Sequence, residues 1–347
     1  MRYKLSCYAA AACLAVILTG CGGANTKTEE GMQQISALQY SDALVLFDEA
    51  QEAGEDGRLI ARGRGIAKLG QADYEGARDS FLEALALSDG FIRDIDYDIN
   101  YYLADAYVGL GDYESAESTY SSIIDMREES KAYYLRGCMR LKLEMFSMAK
   151  DDFDKAAKAD PNDTGLIIKI FMMLDEASYK EAGLEYISGI LDGTDKNISS
   201  LDKGKLYYYM EDYQTAAVSL EEARGADQDN AEATLYLGRS YEAIGEYNYA
   251  SNVYESFLAR NSSEALIYDQ LAICRMKLGE YSKALDAIQS GMQIGEPSVM
   301  KSLSFNEIIA YEHLGEFKKA QALIGSYLEM YPEDEAAKRE QIFLQTR

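Results

Sequence analysis

Gly245-Glu246-Tyr247-Asn248-Tyr249-Ala250 reads as the end of one helix, a tight turn and the start of a second helix. Glycine has no β-carbon and tolerates positive φ, so Gly245 can stop a helix. Tyr247 and Ala250 lie three apart, on one face of the helix that follows. The ring needs a cavity; the small alanine lets another backbone come close. The same aromatic-x-x-Ala unit occurs at Tyr40/Ala43, Tyr74/Ala77, Tyr113/Ala116, Phe146/Ala149, Tyr179/Ala182, Tyr213/Ala216, Tyr281/Ala284 and Phe317/Ala320. Successive aromatics are 34, 39, 33, 33, 34, 34, 34 and 36 residues apart. Such a near-constant period marks an array of helical repeats, each burying its apolar face only against its neighbours.

At 347 residues the length alone suggests two domains. A one-dimensional array overrides that expectation. The chain has only three prolines, Pro161, Pro297 and Pro332, and each falls between helix pairs. The formal net charge is -25. Residues 1–20 carry Arg2 and Lys4 and no acid, so the rest of the chain is more acidic still. That balance excludes nucleic acid as a partner, because phosphates require a basic face. It also excludes a polybasic patch for anionic lipid headgroups.

The first twenty residues are a separate object. Arg2 and Lys4 precede an apolar, alanine-rich run from Leu5 to Leu18. The run is short for a membrane span and fits the apolar region of a signal peptide. It ends in Leu18-Thr19-Gly20-Cys21. This closely resembles the lipobox of bacterial lipoproteins. The resemblance implies removal of residues 1–20, a lipid on the Cys21 thiol, and a lipid-anchored, extracytoplasmic protein. That places it on the outer face of the cytoplasmic membrane, in the periplasm, or at the outer membrane of a Gram-negative cell. Residues 21–30, with no large apolar side chain, read as a flexible tether. Of the remaining cysteines, Cys138 and Cys274 sit among apolar neighbours and read as small buried hydrophobes.

Residues 234–257 carry the fullest version of the repeat: Thr234, Leu237, Gly238, Tyr241, Gly245, Tyr247, Ala250, Tyr254 and Phe257. This pattern resembles tetratricopeptide repeats, and the array over 31–332 is identified on it. The resemblance implies an all-α fold: an α-solenoid of about nine antiparallel helix pairs in a right-handed superhelix. Residues 333–347 then form a C-terminal capping helix. Three departures stand out. Repeat 5 has Asp175-Glu176-Ala177-Ser178 in place of a turn glycine. Repeat 2 carries Gln71-Ala72 as an apparent insertion in its turn. The 39-residue spacing predicts a longer loop near Ser88–Asp96.

Little in the chain suggests catalysis. His313 is the single histidine, without partners for a triad or a metal site. Gly63-Arg64-Gly65 lies inside a helix and lacks the context of a phosphate loop. The acids Asp151, Asp152 and Asp154 read as a solvated helix face. No cofactor or metal is expected. In tetratricopeptide repeats the concave groove is lined by first-helix positions. Carrying that phase over places Tyr101, Tyr134, Phe171 and Tyr208 there, with Lys205 and Arg239 one or two turns away. The expected function is a non-catalytic scaffold that holds a protein or peptide partner and meets the membrane through Cys21. The alternatives are a component of envelope or cell-wall assembly, or a surface protein that captures glycans or nutrients.

Overall fold

The computed structural model describes residues 25–193 and 198–347. The apolar leader and Cys21 lie outside these residues. Among the described residues there are nineteen helices and no strand. The first unit of the chain contains α1 (Thr26–Ser36), α2 (Tyr40–Glu52), α3 (Gly57–Gly70), α4 (Tyr74–Ala86), α5 (Asp94–Leu110), α6 (Tyr113–Met126), α7 (Ser130–Lys142), α8 (Phe146–Ala159) and α9 (Thr164–Glu176). The second contains α11 (Ser200–Tyr209), α12 (Tyr213–Ala226), α13 (Ala231–Ala243), α14 (Tyr247–Leu258), α15 (Ala265–Lys277), α16 (Tyr281–Ile294), α17 (Pro297–His313), α18 (Phe317–Met330) and α19 (Glu335–Leu344). The division between the units, after Gly183, falls inside α10 (Lys180–Asp192).

Each second helix begins two residues after a backbone position with positive φ. Gly111, Gly245, Gly279 and Gly315 fill four of these positions, at φ of 74–81°. Leu38, Ala72, Glu144, Ser178 and Glu211 fill the other five, at 59–71°. A side chain in that conformation costs about 1 kcal/mol, so the packing of the flanking helices fixes the turn more than glycine does. Ala72 thus occupies the ordinary turn position, and repeat 2 has no insertion. The 39-residue spacing divides between a loop over 87–93 and a longer first helix. α5 has 17 residues, against 13 in α7, α9, α13 and α15. The chain is helical again by Asp94, earlier than the sequence suggested. It is likewise helical from Thr26, inside the stretch expected to be tether.

In repeat 5 the sequence reading was one residue out of phase. Ser178 holds the positive φ, so α10 starts at Lys180. Gly183, not Ala182, becomes the buried small residue. Tyr179 stays 39% exposed and stacks on Phe146, with ring centroids 4.0 Å apart.

The core has one recurring contact. A small residue in the first helix faces a large one sixteen positions later in the second: Gly31 and Phe47, Gly65 and Phe81, Gly137 and Phe153, Gly204 and Leu220, Gly238 and Tyr254. A β-carbon built on Gly31 would lie 2.7 Å from the Phe47 ring, and one on Gly137 would lie 2.6 Å from Phe153. The second-helix partners are fully buried. Ala104 precedes Tyr120, and Ala272 precedes Ile288, at the same spacing, and all four are buried. Phe171 is at the small-residue position of repeat 5. There both members are large, because the residue sixteen later is the fully buried Ile187, and room for the ring comes from Gly183 on α10, whose added β-carbon would lie 3.0 Å from it. Phe171 is therefore a core side chain, 4% exposed, and does not line a groove as its sequence position suggested.

A second correction concerns Asp152. Asp151 and Asp154 are exposed, but Asp152 is fully buried. Arg136 grips it with two bonds of 2.9 and 2.7 Å, and Arg140 adds a third of 2.8 Å. A buried carboxylate is tolerable only when paired and hydrogen-bonded in this way. At the other end of the chain, α19 covers the last repeat. Ala337 and Leu344 are buried with Ile308, Ala320, Ile324 and Tyr327, and Gln321 Nε2 donates to the Leu344 carbonyl at 2.6 Å.

Phe171→Ala should remove about 3–5 kcal/mol of stability, the ordinary cost of emptying a buried ring position. Urea unfolding followed by far-UV circular dichroism checks this. A loss under about 0.5 kcal/mol is what an exposed groove residue would give.

Candidate functional site

Within each unit, first helices touch one another. α1 packs on α3, α3 on α5 and α7 on α9; α11 packs on α13, α13 on α15 and α15 on α17. Second helices make no comparable row among the described residues. The first helices therefore form one layer of each unit and the second helices the other. Positions three before, one after and four after the small packing residue fall on one helical stripe, away from the second helix. That stripe is the candidate site.

In the first unit it carries Tyr101, Asp105 and Tyr134. Tyr101 is half-buried, and its hydroxyl donates to Glu129 Oε2 at 2.9 Å. The Lys131 ammonium sits 4.2 Å above the same ring, a cation–π contact. Burial, then the charge and hydrogen bond of Glu129, pushes the Tyr101 hydroxyl up, so it is a neutral donor. Tyr134 tilts against Phe153, centroids 6.0 Å apart, and is half-buried. Asp105 has no hydrogen-bond donor or ion pair among the described residues. Burial pushes its carboxyl up to about 6, against a partial pull downward from Lys131.

In the second unit the stripe carries Lys205 and Tyr208 on α11, Arg239 and Glu242 on α13, and Asp269 on α15. Lys205 is committed to Glu232 at 2.6 Å. Tyr208 packs edge-on against Tyr209, Tyr213 and Tyr236, at 5.6, 5.5 and 5.2 Å between centroids. Tyr209 and Tyr236 share a hydroxyl–hydroxyl bond of 2.8 Å. Glu242 accepts from Tyr254 at 2.6 Å, and Asp269 accepts from Ser302 and Asn306 at 3.0 and 3.1 Å. Burial raises both carboxyls, and these donors oppose the rise. Arg239 makes no ion pair or hydrogen bond among the described residues. Its charge nevertheless acts on Tyr208, Tyr209, Tyr236, Glu242 and Asp269.

Of the six residues expected to line a groove, the structure places Tyr101 and Tyr134 on the stripe of the first unit. Lys205, Tyr208 and Arg239 fall on that of the second. Phe171 is in the core. The sequence reading missed Asp105, Tyr209, Tyr236, Glu242 and Asp269. A signal for Asp105 was present: it directly follows the small packing residue, as Lys205 and Arg239 do in their repeats.

These groups can hydrogen-bond, stack and pair with charge. None is an activated nucleophile. Burial, with Glu242 beside it, pushes the Cys274 thiol up, so it stays protonated. Cys138 and Cys274 are buried and form no disulfide among the described residues. His313 stacks flat on Tyr281, with centroids 4.4 Å apart. Among the described residues no group of three His, Cys, Asp or Glu could hold a metal ion, and no helix is long and apolar enough to cross a membrane.

Helix pairs of this period, locked by a small residue against a large one, define an α-helical repeat protein of the solenoid class. Family models of the tetratricopeptide repeat match residues 97–129, 130–163 and 201–250, about a third of the chain. Among solved structures, the chain is similar to a tetratricopeptide repeat protein from Parabacteroides merdae ATCC 43184. The two share 13% identity at a TM-score of 0.51, over 83% of this chain and 99% of that one. It is similar at a TM-score of 0.40 to YrrB, a tetratricopeptide repeat protein with an unusual peptide-binding site, with 20% identity over 49% of this chain and 86% of that one. It is also similar to the anaphase-promoting complex assembly Cut9–Hcn1, with 12% identity and a TM-score of 0.45, over 92% of this chain and 83% of that one. These likenesses concern the fold alone. No curated protein matches the chain.

Asp105→Asn has a pH signature. The folded carboxyl titrates near 6, above its value of about 3.9 in an unfolded chain. Its contribution is therefore fully favourable below about pH 4 and is lost as pH rises through 6. The variant should be more stable than the parent by about 1–2 kcal/mol at pH 7.5, and the gain should vanish below pH 4. Thermal unfolding at the two pH values tests this; a gain independent of pH would mean Asp105 is solvated.

Proposed function

We propose that this chain is a non-catalytic scaffold that binds a protein or peptide, held on the extracytoplasmic side of a bacterial membrane by lipid on Cys21. Tetratricopeptide repeats generally serve as platforms for protein or peptide partners. The observation that carries the reading is the stripe of the second unit. Arg239 makes no ion pair or hydrogen bond among the described residues, and its charge acts both on Tyr208, Tyr209 and Tyr236 and on the carboxyls of Glu242 on α13 and Asp269 on α15. A cation that makes no direct ion pair among the described residues, grouped with tyrosines on the layer that first helices share, suits an extended segment with an acidic or carbonyl group for Arg239 and apolar surface for the rings. Tyr101, Lys131 and Asp105 supply a comparable mixture in the first unit.

The leader supports the second half of the reading. Arg2, Lys4, the apolar run Leu5–Leu18 and Cys21 have the order expected of a lipoprotein precursor. Two acyl chains on one cysteine hold a protein at a bilayer far more firmly than one.

Two measurements test the parts separately. Partner recovery from native envelopes on the immobilised mature chain should fall at least tenfold with Tyr208→Ala plus Arg239→Ala, while thermal stability stays near the parent's. Undiminished recovery would remove this stripe from the function. Cys21→Ser should release the protein from membranes or leave an uncleaved precursor; normal fractionation with the membrane would remove the lipid.

A further inference from the structure

One edge of the first unit gathers two features that no part of the binding stripe uses. Antiparallel packing brings the starts of first helices and the ends of second helices together there. Asn25, where the described chain begins, accepts from the Asp56 backbone N–H through Oδ1 at 3.1 Å. Lys27 and Thr28 donate their backbone N–H groups to Glu55, each at 2.9 Å. Gly57, at the start of α3, faces Leu87: a β-carbon added there would lie 3.5 Å from it. Leu87 opens the loop to α5. On the same edge Arg127 reaches Asp94 at 3.6 Å, and Tyr97 donates to the Met126 carbonyl at 3.2 Å.

The loop holds Phe91 and Ile92 out into solvent, 71% and 61% exposed, with Leu87 at 51%. It is a built turn. Asp89 Oδ1 accepts from Phe91 N at 3.2 Å, Asp89 also pairs with Arg93, and Arg93 N donates to Asp96 at 2.8 Å. Single exposed apolar residues are ordinary, but adjacent ones fixed at the tip of a braced loop mark a contact surface.

The chain outside the described residues says what lies opposite. Three residues lie between Cys21 and Asn25, four Cα-to-Cα steps, a reach of about 14 Å at most. If Cys21 carries acyl chains, this edge stands within that distance of the bilayer. α5 is two first-helix steps from α1, roughly 20 Å along the edge at 8–10 Å per step. The tip thus lies on the same edge as the attachment point, roughly 20 Å from α1. Charge selects the kind of membrane. Glu55, Asp56, Asp89, Asp94 and Glu129 outnumber Lys27, Arg93 and Arg127 on this edge, so anionic headgroups would be repelled.

We infer that Phe91 and Ile92 are a second membrane contact, inserting into the interface of a zwitterionic bilayer beside the lipid on Cys21. The inference rests on the anchor proposed above. An acyl anchor and an apolar tip on one edge would fix the first unit edge-down on the membrane and leave its binding stripe accessible from the side.

The chain has no tryptophan, so Phe91→Trp makes a sole reporter. Chain 21–347 carrying it can be coupled through Cys21 to a maleimide lipid in phosphatidylcholine vesicles, because Cys138 and Cys274 are buried. Leu38→Trp, 72% exposed in the turn at the opposite edge, is the control. On coupling, the indole emission of the Phe91→Trp chain should shift to the blue. Lipids brominated on the acyl chain should quench it at least twofold more than they quench the Leu38→Trp control. Equal quenching of the two would overturn the contact. So would a blue shift that grows with protein concentration without vesicles, which would assign the tip to a second copy. Since the tether here is chemical, either result is independent of whether cells lipidate Cys21, which Cys21→Ser decides.

Discussion

The structure depends on a close approach between two helices of the same repeat. Gly31, Gly65, Gly137, Gly204 and Gly238 each leave room for one large side chain of the following helix. No repeat of this size can bury its apolar surface alone. The ring or branched chain seated on the glycine closes one half of the core, and the next repeat closes the other. Glycine inside a helix costs about 1 kcal/mol against alanine. Its repeated use means the contact returns more than that. Where the small residue is Ala104 or Ala272, the same contact is made by Tyr120 or Ile288. Where it is Phe171, the residue sixteen later is the large, buried Ile187, and Gly183 on the second helix leaves room for the ring.

With the core spacing set, the first helices have a stripe free for other work. Its composition differs between the units. The first has Tyr101, Lys131 and the unpaired, proton-hungry Asp105. The second has a group of tyrosines around Arg239. The acidic bulk of the chain is put to structural use elsewhere. Asp73, Asp112, Asp163 and Asp212 cap the second or first helices that follow them, at 2.8–3.2 Å from backbone N–H groups. Asp152 holds Arg136 and Arg140 in the core. Such acids give the sequence its charge without creating a site, which is why net charge excluded partners and named none.

The fold was legible because aromatic-x-x-Ala repeats at a nearly fixed spacing near 34 residues, the signature of an array of helical repeats. Its failure in repeat 5 was instructive. Tyr179 and Ala182 mimic the unit one residue early, while the turn geometry at Ser178 places the true positions at Lys180 and Gly183. The slip moved Phe171 onto the wrong face. Gln71-Ala72 looked like an insertion because glycine was assumed at a turn that alanine can occupy. The buried acid Asp152 was hidden because pattern gives the face of a helix but not the reach of an arginine from another. Most of the site was legible as a phase; which of its charges go unpaired depends on neighbours from other helices, and that is not written in spacing.

The central claim is that a first-helix glycine is required by the ring opposite it, and not by the helix. Gly137 and Phe153 allow the cleanest measurement, because Phe153 makes no hydrogen bond that could confuse the result. A double-mutant cycle of Gly137→Ala with Phe153→Val, read by urea unfolding, separates the two causes. Against the native ring, Gly137→Ala should cost about 1–3 kcal/mol by overpacking. With valine at 153 the same change should become neutral or stabilise by up to about 1 kcal/mol, the ordinary helix preference for alanine. Stabilisation of equal size in both backgrounds would contradict the account.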